Sequence, residues 1–111
     1  MTDFGLNDHT LKGLRSVFES YPEIEEVVVY GSRAKGNYRE GSDIDLCMKG
    51  ASLNRDICGR VWMDIDALNT PYLIDLSVHH LLQSESLSEH IRRVGKTLYR
   101  KGEVDVQPIG R

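Results

Sequence analysis

Two groups of residues in this sequence have the types and spacing to handle phosphate. The first is Gly31-Ser32, followed at once by Arg33 and Lys35; the second, after ten intervening residues, is Asp43-Ile44-Asp45, with a lone Asp75 about thirty residues beyond. A glycine directly after an apolar run lets the backbone turn sharply and approach a ligand, and Ser32 with the amides behind it can open a short helix whose N–H groups favour an anion. Arg33 offers a fork of donors and Lys35 a point charge, both suited to the β- and γ-phosphates of a nucleoside triphosphate or to departing pyrophosphate. Asp43 and Asp45 lie two apart, so on a strand they point the same way, and such carboxylates repel one another unless a hard cation such as Mg²⁺ compensates them. If Asp75 lies on a neighbouring strand, a third acid joins them. A two-ion clamp is then possible, with Asp75 placed to take the proton of an acceptor hydroxyl.

Each of these residues also has a plainer reading. Glycine, serine and aspartate crowd ordinary surface turns, Lys35 suits a solvated surface, and Asp75 alone suits a buried acid satisfied by hydrogen bonds. Turn chemistry does not account for paired strand acids together with a third acid inside an apolar strand. His79 and His80 lack a second His/Cys pair at metal-ligand spacing, so they read as strand-end surface histidines. Cys47 reads as a small core residue and Trp62, with the aliphatic stripe beside it, as core.

The elements that must position these residues follow from periodicity. Leu11, Leu14, Val17 and Phe18 recur at helical spacing, which predicts a helix over 8–20 with Asp8 as its cap, stopped by Pro22. The β-branched run Ile24 to Tyr30 predicts a strand buried on both faces. Asp43 to Lys49 alternates, with Ile44, Leu46 and Met48 on one face and Asp43, Asp45 and Cys47 on the other. From Asn54, the stripe Ile57, Val61, Ile65 and Leu68 predicts a crossover helix that Thr70-Pro71 closes. Tyr72 to Val78 is the third strand, with Asp75 facing away from Ile74 and Leu76. Ser86 and Glu89 have capping-box spacing for a last helix carrying Leu87, Ile91 and Val94, which Gly95 ends before Leu98 or which runs on through it. Residues 102–111 form a loose tail outside a domain of residues 1–101, although Val104 and Val106 alternate like a strand edge.

The string Val29-Tyr30-Gly31-Ser32-Arg33-Ala34-Lys35-Gly36, then Gly41-Ser42-Asp43-Ile44-Asp45-Leu46, resembles the minimal nucleotidyltransferases of the DNA polymerase beta superfamily. The likeness extends over about residues 24–99 when Asp75 and the closing helix are counted, and the pattern of Gly-Ser, ten residues, Asp-x-Asp is far more specific than an isolated glycine loop. The resemblance implies an α/β (α+β) fold, a small mixed sheet with helices packed against it. It further implies nucleotide transfer at the α-phosphate of ATP, with two Mg²⁺ ions held by Asp43, Asp45 and Asp75 and the triphosphate held by Gly31 and Ser32. Many small members of this family are antitoxins that transfer AMP to a tyrosine of a helical HEPN toxin, itself an RNase. By that analogy the expected partner is a HEPN protein, with a small-molecule or RNA acceptor, or a purely inhibitory binding role, as alternatives.

Composition narrows the field further. At 111 residues the chain has room for one core and one module, and its 40% hydrophobic and 28% charged residues exclude wholesale disorder or a fibre. A net charge of −3 without a long Lys/Arg cluster excludes a broad nucleic-acid footprint. Cys47 and Cys58 form no CxxC pair, and neither a secretory leader nor a long apolar run is present, so a reducing cytoplasm is the expected compartment.

Overall fold

In the computed structural model, residues 4–39 and 43–102 are described. Valines 27–29 and Tyr30 are buried on both sides, as their unbroken apolar run requires, and they form the inner strand β1 (Glu26–Tyr30). It is preceded by helix α1 (Asp8–Glu19). It is followed by the single turn α2 (Ser32–Lys35), strand β2 (Ile44–Lys49), helix α3 (Arg55–Asp66) and strand β3 (Ile74–Val78). Helix α4 (Glu85–Val94) and strand β4 (Lys96–Arg100) complete the described chain. The sheet order is β3-β2-β1-β4, with β1 antiparallel to both of its neighbours and β2 parallel to β3. A parallel pair needs a crossover, and α3 is that crossover.

Alternation divides the sheet into two differently used faces. Val27, Val29, Ile44, Leu46 and Met48 point into the larger core, where Leu11, Leu14 and Phe18 of α1 and Val61 and Ile65 of α3 meet them. Full burial of such a side chain contributes roughly 1.5–3 kcal/mol, so these stripes fix both helices to the sheet. Val28, Tyr30 and Cys47 face the other way and are covered by Ile91 of α4, with Leu82, Leu87 and Val94 around them. Asp45 lies on this second, thinly covered face, and its β3 neighbour in the register is Asp75.

Several details depart from the sequence reading. The cap of α1 is Asn7, whose side chain accepts the Thr10 N–H at 2.8 Å, so Asp8 is the first helical residue and not the cap. Likewise Ser84, not Ser86, caps α4, accepting the Leu87 N–H at 3.1 Å. The helix stops at Val94, and Leu98 is a buried residue of β4, paired with β1. Trp62 was expected in the core but is 45% exposed, because it sits one residue off the Val61–Ile65 stripe and faces outward. His79 and His80 lie in a short 3₁₀ turn after β3, where His79 shares a 3.1 Å hydrogen bond with Ser88. The expected tail, except Gly102, and the Gly41-Ser42 pair lie outside the described residues. No helix among those described is long and apolar enough to cross a membrane.

Candidate active site

At the end of β1 the chain turns on Gly31, whose φ of 75° and ψ of −153° are open to glycine and strained for any other residue. The turn also needs the missing side chain for space: a Cβ on Gly31 would lie 2.5 Å from Asp45 Oδ2. The Gly31 backbone therefore packs directly on the Asp45 carboxylate. Ser32 opens α2, which closes after one turn when the Gly36 N–H bonds the Ser32 carbonyl at 2.9 Å with Gly36 left-handed. Gly31 and Ser32 remain partly open to solvent, and Lys35 is exposed.

Two of the three acids are brought together by strand register. Asp45 pairs with Asp75 across the parallel β2–β3 ladder, so both carboxylates leave the same face of adjacent strands. On its other side Asp45 is opposite Tyr30 of β1. Asp43 is exposed just before β2, on the approach to the pair. Burial pushes the Asp45 carboxyl above the usual carboxylate range, and the charges of Asp75 and Asp43 push it further. The Tyr30 phenol is raised to about 12, first by burial and then by Asp75 and Asp45, against a hydrogen bond from Ser77 that works the other way.

Among the described residues no three His, Cys, Asp or Glu side chains form a closed metal-ligand set. Asp45 nevertheless feels both other carboxylates, whose charges add to the effect of burial on it. An all-oxygen donor set with uncompensated negative charge suits a hard divalent cation, and a raised Asp45 is the electrostatic cost that such a cation would relieve. Asp43, Asp45 and Asp75 thus fit Mg²⁺ in chemistry, with Asp45 and Asp75 as the preformed part.

Arg33 and Lys35, expected side by side on a phosphate, are separated. Lys35 points to solvent, whereas Arg33 is only 3% exposed. Its Nη1 donates to the Phe4 carbonyl at 2.8 Å, and its guanidinium lies 4.9 Å from the Tyr38 ring centroid and 5.1 Å from that of Tyr72. Phe4 and Tyr72 belong to the larger core, on the face of the sheet opposite the carboxylates. The sequence reading gave no role to Tyr30, Tyr38 or Tyr72. Tyr30 comes level with Asp45 only through the β1–β2 register, which the sequence does not spell out. Nothing local marks the other two. Cys47, on the acid face, is fully buried, and burial pushes its thiol up, as befits a small core residue and not a nucleophile.

Known proteins bear out this architecture. The family model described as "Polymerase beta, Nucleotidyltransferase" matches residues 12–104. No curated protein matches significantly. Solved structures do: a chain of a toxin–antitoxin complex with AMP-PNP is 22% identical over 87% of this chain and 76% of its own, with a TM-score of 0.64. A chain of the MntA–HepT toxin–antitoxin complex is 18% identical over 85% and 73%, with a TM-score of 0.62. A third match comes from a complex of tri-AMPylated Shewanella oneidensis HEPN toxin with MNT antitoxin, 18% identical over 82% and 70%, with a TM-score of 0.60. At these identities the three structures establish a shared fold, and the family model covers most of the chain, including the turn and all three acids. The chain belongs to the polymerase beta nucleotidyltransferase family.

Proposed function

We propose that this chain transfers AMP from ATP to a tyrosine hydroxyl of a partner HEPN toxin and thereby acts as its antitoxin. The observation that carries the reading is the register match of Asp45 with Asp75 on one face, with the Gly31 turn against Asp45. The partner and the transferred group are supported by the similar structures, one of which holds AMP-PNP and another an AMPylated toxin.

The Gly31–Ser32 turn, with its amides and the exposed Lys35 behind it, orients the triphosphate so that the α-phosphorus faces the acid pair. Asp43, Asp45 and Asp75 would hold two Mg²⁺ ions, which supply charge neutralisation on the attacking and leaving oxygens. Asp75, on the outer strand and exposed, accepts the proton of the incoming hydroxyl. The new bond joins the tyrosine oxygen to the α-phosphorus, and the bond from that phosphorus to the pyrophosphate oxygen breaks. ATP supply and the free thiols of Cys47 and Cys58 are consistent with work in the cytoplasm.

The test is intact-mass spectrometry of a co-expressed HEPN partner, with and without this chain. One or more added AMP units on a tyrosine are expected. An unmodified partner that is nonetheless neutralised points to binding alone; in a parallel incubation with labelled ATP, label found only on RNA or a small molecule retires the protein acceptor.

A further inference from the structure

We propose that Arg33 is a positioning residue, whose buried guanidinium locks the phosphate turn to the segments that present Asp43 and Asp75 and does not itself bind phosphate. The inference rests on the nucleotide-transfer reading of the site. Its basis is convergence. Arg33 belongs to α2 beside Ser32; Tyr38 stands five residues before Asp43 in the sequence, and Tyr72 three before Asp75. The one guanidinium lies over both rings, 4.9 Å from the Tyr38 centroid and 5.1 Å from that of Tyr72. Described residues close in sequence to Ser32, Asp43 and Asp75 therefore meet at a single group.

A fourth segment closes the arrangement from behind. The Phe4 carbonyl takes the 2.8 Å bond from Arg33, and Phe4 holds a φ of 56°, a conformation that a bulky residue rarely adopts without restraint. The adjoining Gly5 packs so closely on the Tyr38 ring that a side chain there would overlap it. A planar guanidinium can stack between two rings and donate from its edge at the same time, which an ammonium cannot. To reach a phosphate on the carboxylate face, Arg33 would have to abandon the Phe4 bond and both rings. Lys35, two residues on, is exposed instead.

The test compares Arg33→Lys, Tyr72→Leu, Tyr72→Phe and the double variant Arg33→Lys/Tyr72→Leu. Steady-state AMP transfer is measured alongside hydrogen exchange of residues 31–39 and 72–78. Arg33→Lys and Tyr72→Leu are each expected to lower kcat about tenfold or more with the KM for ATP within about twofold of wild type. The double variant should be no worse than the poorer single one, because both remove the same contact. Tyr72→Phe keeps the ring and should match wild type. Exchange in the two segments should rise together in the single variants. A rise of about tenfold in the KM for ATP in Arg33→Lys, with kcat intact and Tyr72→Leu silent, would make Arg33 a phosphate ligand and overturn the proposal. So would unchanged exchange. A wild-type chain that transfers no nucleotide sinks the transfer reading alone, since the exchange data still decide the lock.

Discussion

One face of the β1–β2 pair carries a carboxylate at each end, and the two ends are built in opposite ways. Glu26 lies opposite Lys49 and receives hydrogen bonds from Thr97 and, at 3.2 Å, from Arg100. Burial alone would raise its carboxyl, but Thr97, Arg100 and Lys49 outweigh it and hold the group below the usual range. At the other end Asp45 lies opposite Tyr30 and level with Asp75, and burial, Asp75 and Asp43 all push its carboxyl up. The first carboxylate is surrounded by donors from its own chain. The second is set among like charges, an arrangement that folding alone does not favour and that a charged substrate complex would reward.

The contrast is broken most severely at the acid pair itself. Asp45→Asn and Asp75→Asn should each lower AMP transfer about a thousandfold or more, read as initial rates with a folded protein by circular dichroism. Gly31→Ala forces a positive φ on a residue with a side chain and drives that side chain into Asp45. About a hundredfold loss of activity is expected, with about 1–2 kcal/mol of stability lost in urea unfolding. At the structural end, Glu26→Gln should cost about 0.5–1 kcal/mol and leave the rate unchanged, because the pair with Arg100 is partly exposed. The wild-type contribution of Glu26 is present above its unfolded pKa and lost as pH falls through the lowered folded value, so the variant and wild type should converge in acid.

The smallest effect has the opposite sign. Folded Asp45 keeps its proton to a higher pH than the unfolded chain does, so stability is lost as pH rises from the ordinary carboxylate range through the raised value. In a chelator at neutral pH, Asp45→Asn should therefore raise the unfolding midpoint, by about one or two °C given solvent screening, while it abolishes transfer. A midpoint that falls would place Asp45 with Glu26 among structural carboxylates.

The site was more legible in the sequence than the frame around it. An aspartate within an apolar strand is an exception to burial rules, and a period of two places Asp45 and Asp75 each on a definite face. That the two faces are the same, on adjacent strands, depends on strand order, which no local pattern carries. The inward turn of Arg33 was illegible because α2 is a single turn, too short for any periodicity to mark a buried side. Leu98 falls in helical phase with Leu87, Ile91 and Val94, so β4 was hidden behind a continuing stripe. Only pairing with β1 decides for strand, beyond the helix end where the Gly95 N–H bonds Ile91 at 2.8 Å. The exposed Trp62 shows that one residue of offset on a helix separates core from surface.

Transfer chemistry at the acid pair is tested most directly with ATP labelled at the α- or the γ-phosphate, Mg²⁺ and a HEPN partner, using wild type and Asp45→Asn. Label from the α-position should become fixed on the partner with wild type and not with the variant. Fixation of γ-label, or α-label transfer that survives in Asp45→Asn, would contradict it.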